Sequence, residues 1–460
     1  MNAKRILLIA MVFMLFCGFI TSAQAFSDQA KKDQAEKIVR ACQFAWKGYM
    51  QYAKGFDALK PISKQGENWH KKSLLMTPVD AFDTLTLMGL KSEADEAKTM
   101  ILADLNFDLD MEVQLFEINI RLLGGLLSAY EFDGDQRFLT LAEDLCKRLL
   151  PAFNTKTGMP YRYVNLKTGA VRDPLNNPAE IGTCLLEFSK LSELTGNPIY
   201  FKIAKKAVFA VYQRRSRIDL VGTMIDVTTG DWKNSESQIG ARLDSYYEYL
   251  FKTWLLNGDP ECKEAWEKHC RAIAKYLLTA TVNGTFLTRV DMNSGKETRS
   301  YYGALDAFYA GLLALSGDVS TARKIQKANF YMWTRFNIEP EVFDFKKDAV
   351  IYPDYPLRPE NIESCFYLYR LTHDMQYLAM GKRMIDDIFE KCKTAAGFAA
   401  VKDVTTLELD DSMESFFFAE TLKYAYLLFA PESVLDIQKY VFNTEAHPLL
   451  KLQQHSSKQK

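Results

Sequence analysis

Apolar residues recur at three- to four-residue spacing along almost the whole chain beyond residue 28, which is the period of amphipathic helices. The helices come in pairs. Five segments share one grammar: FDGDQRFLTLAEDL (132–145), LTGNPIYFKIAKKA (194–207), NGDPECKEAWEKHC (257–270), SGDVSTARKIQKAN (316–329) and THDMQYLAMGKRMI (372–385). Each places Gly, His or Asp/Asn at a helix end and continues into an amphipathic helix. Such a recurrence reads as an internal repeat of helical hairpins.

The helices that precede these turns are richer in apolar and aromatic residues, as an inner ring must be when it is covered on one side and lines a cavity on the other. Seven are visible: PVDAFDTLTLMGL, FEINIRLLGGLLSAY, AEIGTCLLEFSKLSEL, LDSYYEYLFKTWLL, YYGALDAFYAGLLAL, RPENIESCFYLYRL and MESFFFAETLKYAYLLF. Seven inner helices with outer partners predict an all-α toroid. Segments 158–171, 221–232 and 285–297 combine turn signals with β-prone residues and predict short hairpins over one mouth.

Residues 1–25 read as a cleaved signal peptide: Lys4 and Arg5, an apolar run from Ile6 to Ile20, then Ala23-Gln24-Ala25 as a small-residue cleavage site. No Pro/Gly/Ser-rich linker interrupts the rest, so 26–448 is expected to be one domain and 449–460 a polar, disordered tail. The 57 Lys and Arg nearly balance the 58 Asp and Glu, and loss of Lys4 and Arg5 with the leader leaves a net charge of −3. No basic stripe points to nucleic acid, and nothing after the leader points to a membrane. The seven cysteines beyond the leader are dispersed, with no CxxC, and the five histidines are unclustered, so any metal is expected to be a hard, oxygen-bound one.

Several inner helices begin with an acid at regular intervals. Glu117, Glu180, Asp244, Glu360 and Glu420 are separated by 63, 64, 116 and 60 residues, with one beat missing near 304. One carboxylate per hairpin would converge on a single rim of the toroid. Glycoside hydrolysis needs such a set, one carboxyl to protonate the leaving oxygen and another to activate water or attack the sugar. Acids at helix N-termini also simply complement the helix dipole. Several of these carry companions that a cap does not need: Arg121 four residues after Glu117, Arg242 two before Asp244, and Arg358 before Glu360 and Glu363. An arginine there orients a carboxylate, binds sugar hydroxyls, or serves as a structural ion-pair partner.

FEINIRLLGGLLSAY, NPAEIGTCLLEF, IGARLDSYYEYL, YPLRPENIES, MESFFFAETLKYAYLLF and FNTEAHP, in this order, resemble the signature segments of glycoside hydrolase family 47, the class I α-mannosidases. The resemblance runs from position 45 to Pro448 and implies an (α/α)7 barrel. It further implies inverting hydrolysis of terminal α-1,2-linked mannose on high-mannose N-glycans, with Ca²⁺ as cofactor. Thr444 matches the residue that binds the ion directly, from a hairpin at the far end of the barrel. Glu363, Glu420 and Glu445 match acids that hold its waters. Glu117 matches the proposed general acid, acting through a water, with Asp244 as the competing acid, and Glu360 matches the general base. Arg121, Glu180, Arg242, Arg358 and Phe416 match sugar-contacting or supporting positions.

The resemblance is not uniform. Where the processing mannosidases keep a His in an HLxCF segment, this chain has ALDAF, so Ala304 falls on the missing beat and Ala307 replaces a disulfide cysteine. GALDAFYAGLLALSGD, LVGTMIDVTTGDW and TGMPYRYVNL look instead like the EDEM branch of endoplasmic-reticulum-associated degradation, which gives a second expectation: a protein that binds mannosylated glycans or misfolded glycoproteins with little hydrolysis. The leader implies an extracytoplasmic location, secreted or periplasmic in a bacterium, the endoplasmic reticulum lumen in a eukaryote.

Overall fold

The computed structural model describes residues 26–452; the expected leader and the last eight residues of the tail lie outside the described residues. Its helices form two concentric rings. The inner ring contains, in chain order, Met76–Leu87; the run from Leu115 to Asp133; Pro178–Gly182 with Leu185–Thr195; Asp244–Asn257; Ala304–Ala307 with Phe308–Leu315; Glu360–Thr372; and Phe417–Leu422 with Lys423–Phe429. The first six are each followed by an outer helix: Lys91–Asp104, Gln136–Leu149, Ile199–Tyr212, Pro260–Tyr276, Val319–Phe336 and Met375–Lys391. The seventh is covered by the first helix of the described chain, Asp28–Tyr52, so the two ends of the sequence close the (α/α)7 barrel.

The turn grammar has a physical basis. Gly134, Gly196, Gly258 and His373 end inner helices with a left-handed backbone, φ between 52 and 79°. The next polar residue then caps the outer helix. Asp135 accepts from Arg137 N at 3.1 Å, Asp259 from Glu261 N at 3.0 Å, Asp318 from Thr321 N at 3.0 Å and Asp374 from Gln376 N at 3.2 Å. The core lies between the rings and in the inner wall, where Trp46, Tyr246, Trp333 and Tyr355 are fully enclosed.

Short antiparallel sheets occupy the end of the barrel where most inner helices begin. The three predicted hairpins appear as Tyr163–Asn165 with Val171–Arg172, Met224–Asp226 with Trp232–Asn234, and Arg289–Asp291 with Glu297–Arg299. Single strands from neighbouring repeats join them, so consecutive repeats are stitched together: Glu112–Gln114 pairs with the first hairpin, Leu175–Asn176 with the second and Glu236–Ser237 with the third. A further hairpin, Tyr440–Phe442 with Pro448–Leu450, packs on the inner helices Asp244–Asn257 and Gly124–Asp133. This corrects the domain boundary. Leu449 is fully buried and Leu450 is paired in a strand, because the returning strand needs both to complete the hairpin, so the ordered chain runs beyond 448.

Candidate active site

All twelve residues singled out from the sequence line one cavity of about 400 Å³: Glu117, Arg121, Glu180, Arg242, Asp244, Arg358, Glu360, Glu363, Phe416, Glu420, Thr444 and Glu445. Gln114, Arg162, Glu248, Leu305 and Phe308 complete much of the wall. The convergence follows from the repeat. Glu117 and Glu180 are the third residues of their helical segments, and Asp244 and Glu360 the first of theirs, so each carboxyl sits where an inner helix opens toward the mouth.

Two inner helices depart from α geometry at this level. Asn119–Leu123 and Phe417–Leu422 are π-helical turns, and they contain Arg121 and Glu420. A π-turn inserts one residue and re-aims the side chains beside it, which is why such turns gather at functional sites. The backbone is also left-handed at Arg242 (φ 79°), Leu357 (φ 63°) and Ala446 (φ 56°), all in segments that carry cavity residues. Non-glycine residues hold this conformation only where the surroundings enforce it.

The tip of the last hairpin is inserted between inner helices. Asn443 donates from Nδ2 to the Ile120 carbonyl at 2.9 Å and to Glu187 at 2.9 Å, and its Oδ1 accepts from the backbone N–H of Glu445 and of His447. The insertion needs glycine opposite it. A Cβ on Gly124 would lie 2.4 Å from Asn443 Nδ2, and one on Gly125 3.2 Å from the His447 ring. Beneath the tip, His447 Nδ1 meets Asp83 at 2.7 Å, and Lys423 pairs with Asp83 at 2.7 Å while donating to the Ala446 carbonyl at 2.6 Å. Tyr249 accepts from Thr444 N at 3.3 Å and donates to Glu187 at 2.6 Å. Thr444 and Glu445 are thus fixed from both sides.

The arginines divide into tied and free. Arg121 bonds Glu117 at 3.0 Å, reaches Asp80 at 3.5 Å and also bonds Glu445. Arg358 makes a fork with Glu341 at 2.8 and 3.0 Å, and Phe416 lies against both Arg121 and Arg358, with ring centroids 5.6 and 5.9 Å away. Glu180 is held at 2.8 and 2.9 Å by Arg162. Arg242 makes no ion pair among the described residues, and its side chain is exposed at the cavity. The structural role open to it from sequence therefore falls to Arg121 but not to Arg242.

Eight carboxylates and four guanidinium groups line the cavity, and the surplus of negative charge shows in their titration. Burial, then Glu248 and Asp306, push Asp244 up to about 7. Burial also raises Glu360 to about 7, with Glu341 and Asp244 adding to the effect and Arg358 opposing it. Glu363, Glu420 and Glu445 are all raised, chiefly by desolvation and partly by nearby carboxylates such as Glu248, Glu360 and Asp80. Such a set is short of positive charge.

The missing beat is a real gap. Ala304 is fully buried, and the wall there is made by Leu305 and Phe308, with Asp306 buried behind them. Sequence reasoning passed over Glu248, although it lies one helical turn from Asp244 on the same face, where i,i+4 spacing marks it. It also missed Arg162 and Glu341, which arrive from the β-rich connections and have no periodic signal.

Comparison with known proteins agrees with this geometry. The sequence profile of Glycosyl hydrolase family 47 matches residues 41–451. The chain is 36% identical over 478 residues to Alpha-mannosidase I MNS5 of Arabidopsis thaliana, covering 97% of this chain and 82% of that protein. It is 36% identical over 450 residues to ER degradation-enhancing alpha-mannosidase-like protein 2 of Homo sapiens, covering 90% and 77%. Among solved structures it matches an alpha-1,2-mannosidase from Trichoderma reesei with a TM-score of 0.84 and 30% identity, over 92% of this chain and 99% of that one. The match over residues 41–451 and the shared fold show that the chain belongs to glycosyl hydrolase family 47, an α-mannosidase family in which its relatives include both mannosidases and ER-degradation mannosidase-like proteins.

Proposed function

We propose that the protein is a calcium-dependent, inverting exo-α-1,2-mannosidase that removes terminal mannose from high-mannose N-glycans. One observation carries this reading: Asp244 and Glu360, both raised to about 7, stand in the same small cavity as Thr444 and its oxygen-bearing neighbours. A general acid and a general base both work best with a pKa near the working pH.

The cluster fits a hard cation. Thr444 offers hydroxyl and carbonyl oxygens at a rigid tip, and Glu363, Glu420 and Glu445 line the same cavity, whose eight carboxylates outnumber its four arginines. Among the described residues no three His, Cys, Asp or Glu side chains are grouped to grip a metal directly, which suits a shell made largely of water held by those acids. When bound, Ca²⁺ would supply positive charge beside sugar hydroxyls. Thr444 would hold it directly, and the three glutamates through water.

The residues then divide the work. Glu360 takes the proton of the attacking water. Asp244 is the better fitted of the two candidate acids, because Glu117 is already engaged by Arg121 and would donate only through a water. Phe416, packed against Arg121 and Arg358, gives the sugar an apolar face, while the unpaired Arg242 and the Arg162-held Glu180 offer hydroxyl partners. The substrate class is a neutral oligosaccharide or a glycoprotein bearing it.

Among the described residues no helix is long and apolar enough to cross a membrane. Taken with the expected leader, the reading is of an extracytoplasmic enzyme, and the relatives named for ER degradation point to that lumen in a eukaryotic host.

The test is mannose release from a high-mannose oligosaccharide by the purified protein. Glu360→Gln should lower the rate by roughly 10²- to 10⁴-fold, the usual contribution of a general base, while leaving the fold intact. Binding of the glycan with no release by the wild type would instead favour the lectin-like alternative that the buried Ala304 raises.

A further inference from the structure

Glu339 is a buried carboxyl that the proposed mechanism does not use. It is fully enclosed, two residues before Glu341 across Pro340. Its Oε2 accepts from Tyr302 OH at 2.6 Å and from Asn361 Nδ2 at 3.0 Å. Asn361 is in turn fixed by the Asn329 carbonyl at 3.1 Å and by Gln326, which donates to Asn361 Oδ1 at 2.8 Å. Glu341 meanwhile holds Arg358 in a two-bond fork.

The two acids therefore grip the residues on either side of Glu360, Arg358 two before it and Asn361 directly after it. Two carboxyl oxygens in this region are buried and have no hydrogen-bond partner among the described residues, Glu339 Oε1 and Glu360 Oε2. An isolated buried polar atom of this kind is costly unless it has a use. We propose that Glu339–Pro340–Glu341 is a clamp that positions Glu360, with Glu339 as an un-ionised carboxylic acid whose free O–H is directed toward the Glu360 carboxylate.

Three facts support an un-ionised Glu339. Among the described residues no cation is paired with it, in contrast to Glu341. Burial, opposed by the Tyr302 and Asn361 bonds and reinforced by Glu360 and Glu341, raises it to about 8. The charged and titratable groups around the clamp include Tyr302, Asp306, Asp354, Tyr355, Arg358, Glu360 and Cys365, and Arg358, the cation among them, is already committed to Glu341. A neutral acid here gives Glu360 a donor without adding a second negative charge.

The proposal rests on Glu360 being the base, and the experiment separates the two claims. Glu339→Gln keeps an acceptor for Tyr302 and Asn361 and offers an N–H₂ donor where the acid has its O–H. Glu339→Met keeps the volume and offers neither. On full-length protein with added Ca²⁺, the Gln variant should retain wild-type kcat to within about threefold, whereas Met should lose about 10- to 100-fold in kcat with KM changed by less than about twofold. Tyr302→Phe, which removes one donor and no volume, guards against a Met variant that fails to fold. It should lower kcat in the same direction, again with KM unchanged. Wild-type kcat in the Met or Phe variant overturns the clamp, as does a Gln variant as slow as Met. No release by the wild type overturns the functional reading and the clamp with it.

Discussion

Lys423 and Asp83 are both fully buried, 2.7 Å apart, beneath the hairpin tip that carries Thr444. Burial pushes Asp83 up, but Lys423 and His447 outweigh it and hold the carboxyl at about 2. Lys423→Met would leave a buried carboxylate with His447 and the Ser128 hydroxyl as its remaining close partners, at a cost of about 3–5 kcal/mol near neutral pH. The depressed carboxyl contributes stability that is present above its unfolded value of 3.8 and is lost as pH falls through about 2. The deficit of the variant, read from urea unfolding, should therefore be largest above pH 4 and shrink toward pH 2. A deficit that grows on acidification would contradict the assignment. At this scale much of the site was legible: helix-start acids and their arginine neighbours carry their chemistry in their spacing. Arg162 and Glu341 do not, because a residue in a β-rich connection reaches the cavity through tertiary pairing alone.

The elements were legible where a local rule sets them. Left-handed Gly or His followed by a capping Asp marks four of the six hairpin turns, at Gly134–Asp135, Gly258–Asp259, Gly317–Asp318 and His373–Asp374, and this is written in the sequence. The π-turns at Asn119–Leu123 and Phe417–Leu422 are not, since one extra residue per turn leaves the hydrophobic pattern nearly unchanged. The partnership of the first helix with the last inner helix is likewise a matter of closure rather than of neighbouring sequence. In Asp28–Tyr52, Gly48 packs against the connection that follows Met375–Lys391, where a Cβ would lie 1.6 Å from the Ala396 carbonyl oxygen. That oxygen is backbone and has little room to yield. Gly48→Ala should thus destabilise the protein by about 1–3 kcal/mol despite the better helix propensity of alanine, as an overpacked contact does. A thermal midpoint equal to or above wild type would show that the helix is free to move away.

For the whole molecule, sevenfold repetition turns a linear spacing into a place. Carboxyls about sixty residues apart meet in one cavity because each repeat returns its inner helix to the same mouth. The absent beat at Ala304 is part of the same geometry: the wall there is apolar, and the clamp on Glu360 lies in the elements just beyond it. In the proposed reaction this cavity inverts an α-mannosidic bond with the help of calcium. Time-resolved proton NMR of a high-mannose oligosaccharide digested by the protein, with calcium or with excess chelator, tests it most directly. β-Mannose should appear first, before mutarotation, and release should stop in the chelator. First appearance of α-mannose, or release undiminished in the chelator, would contradict it.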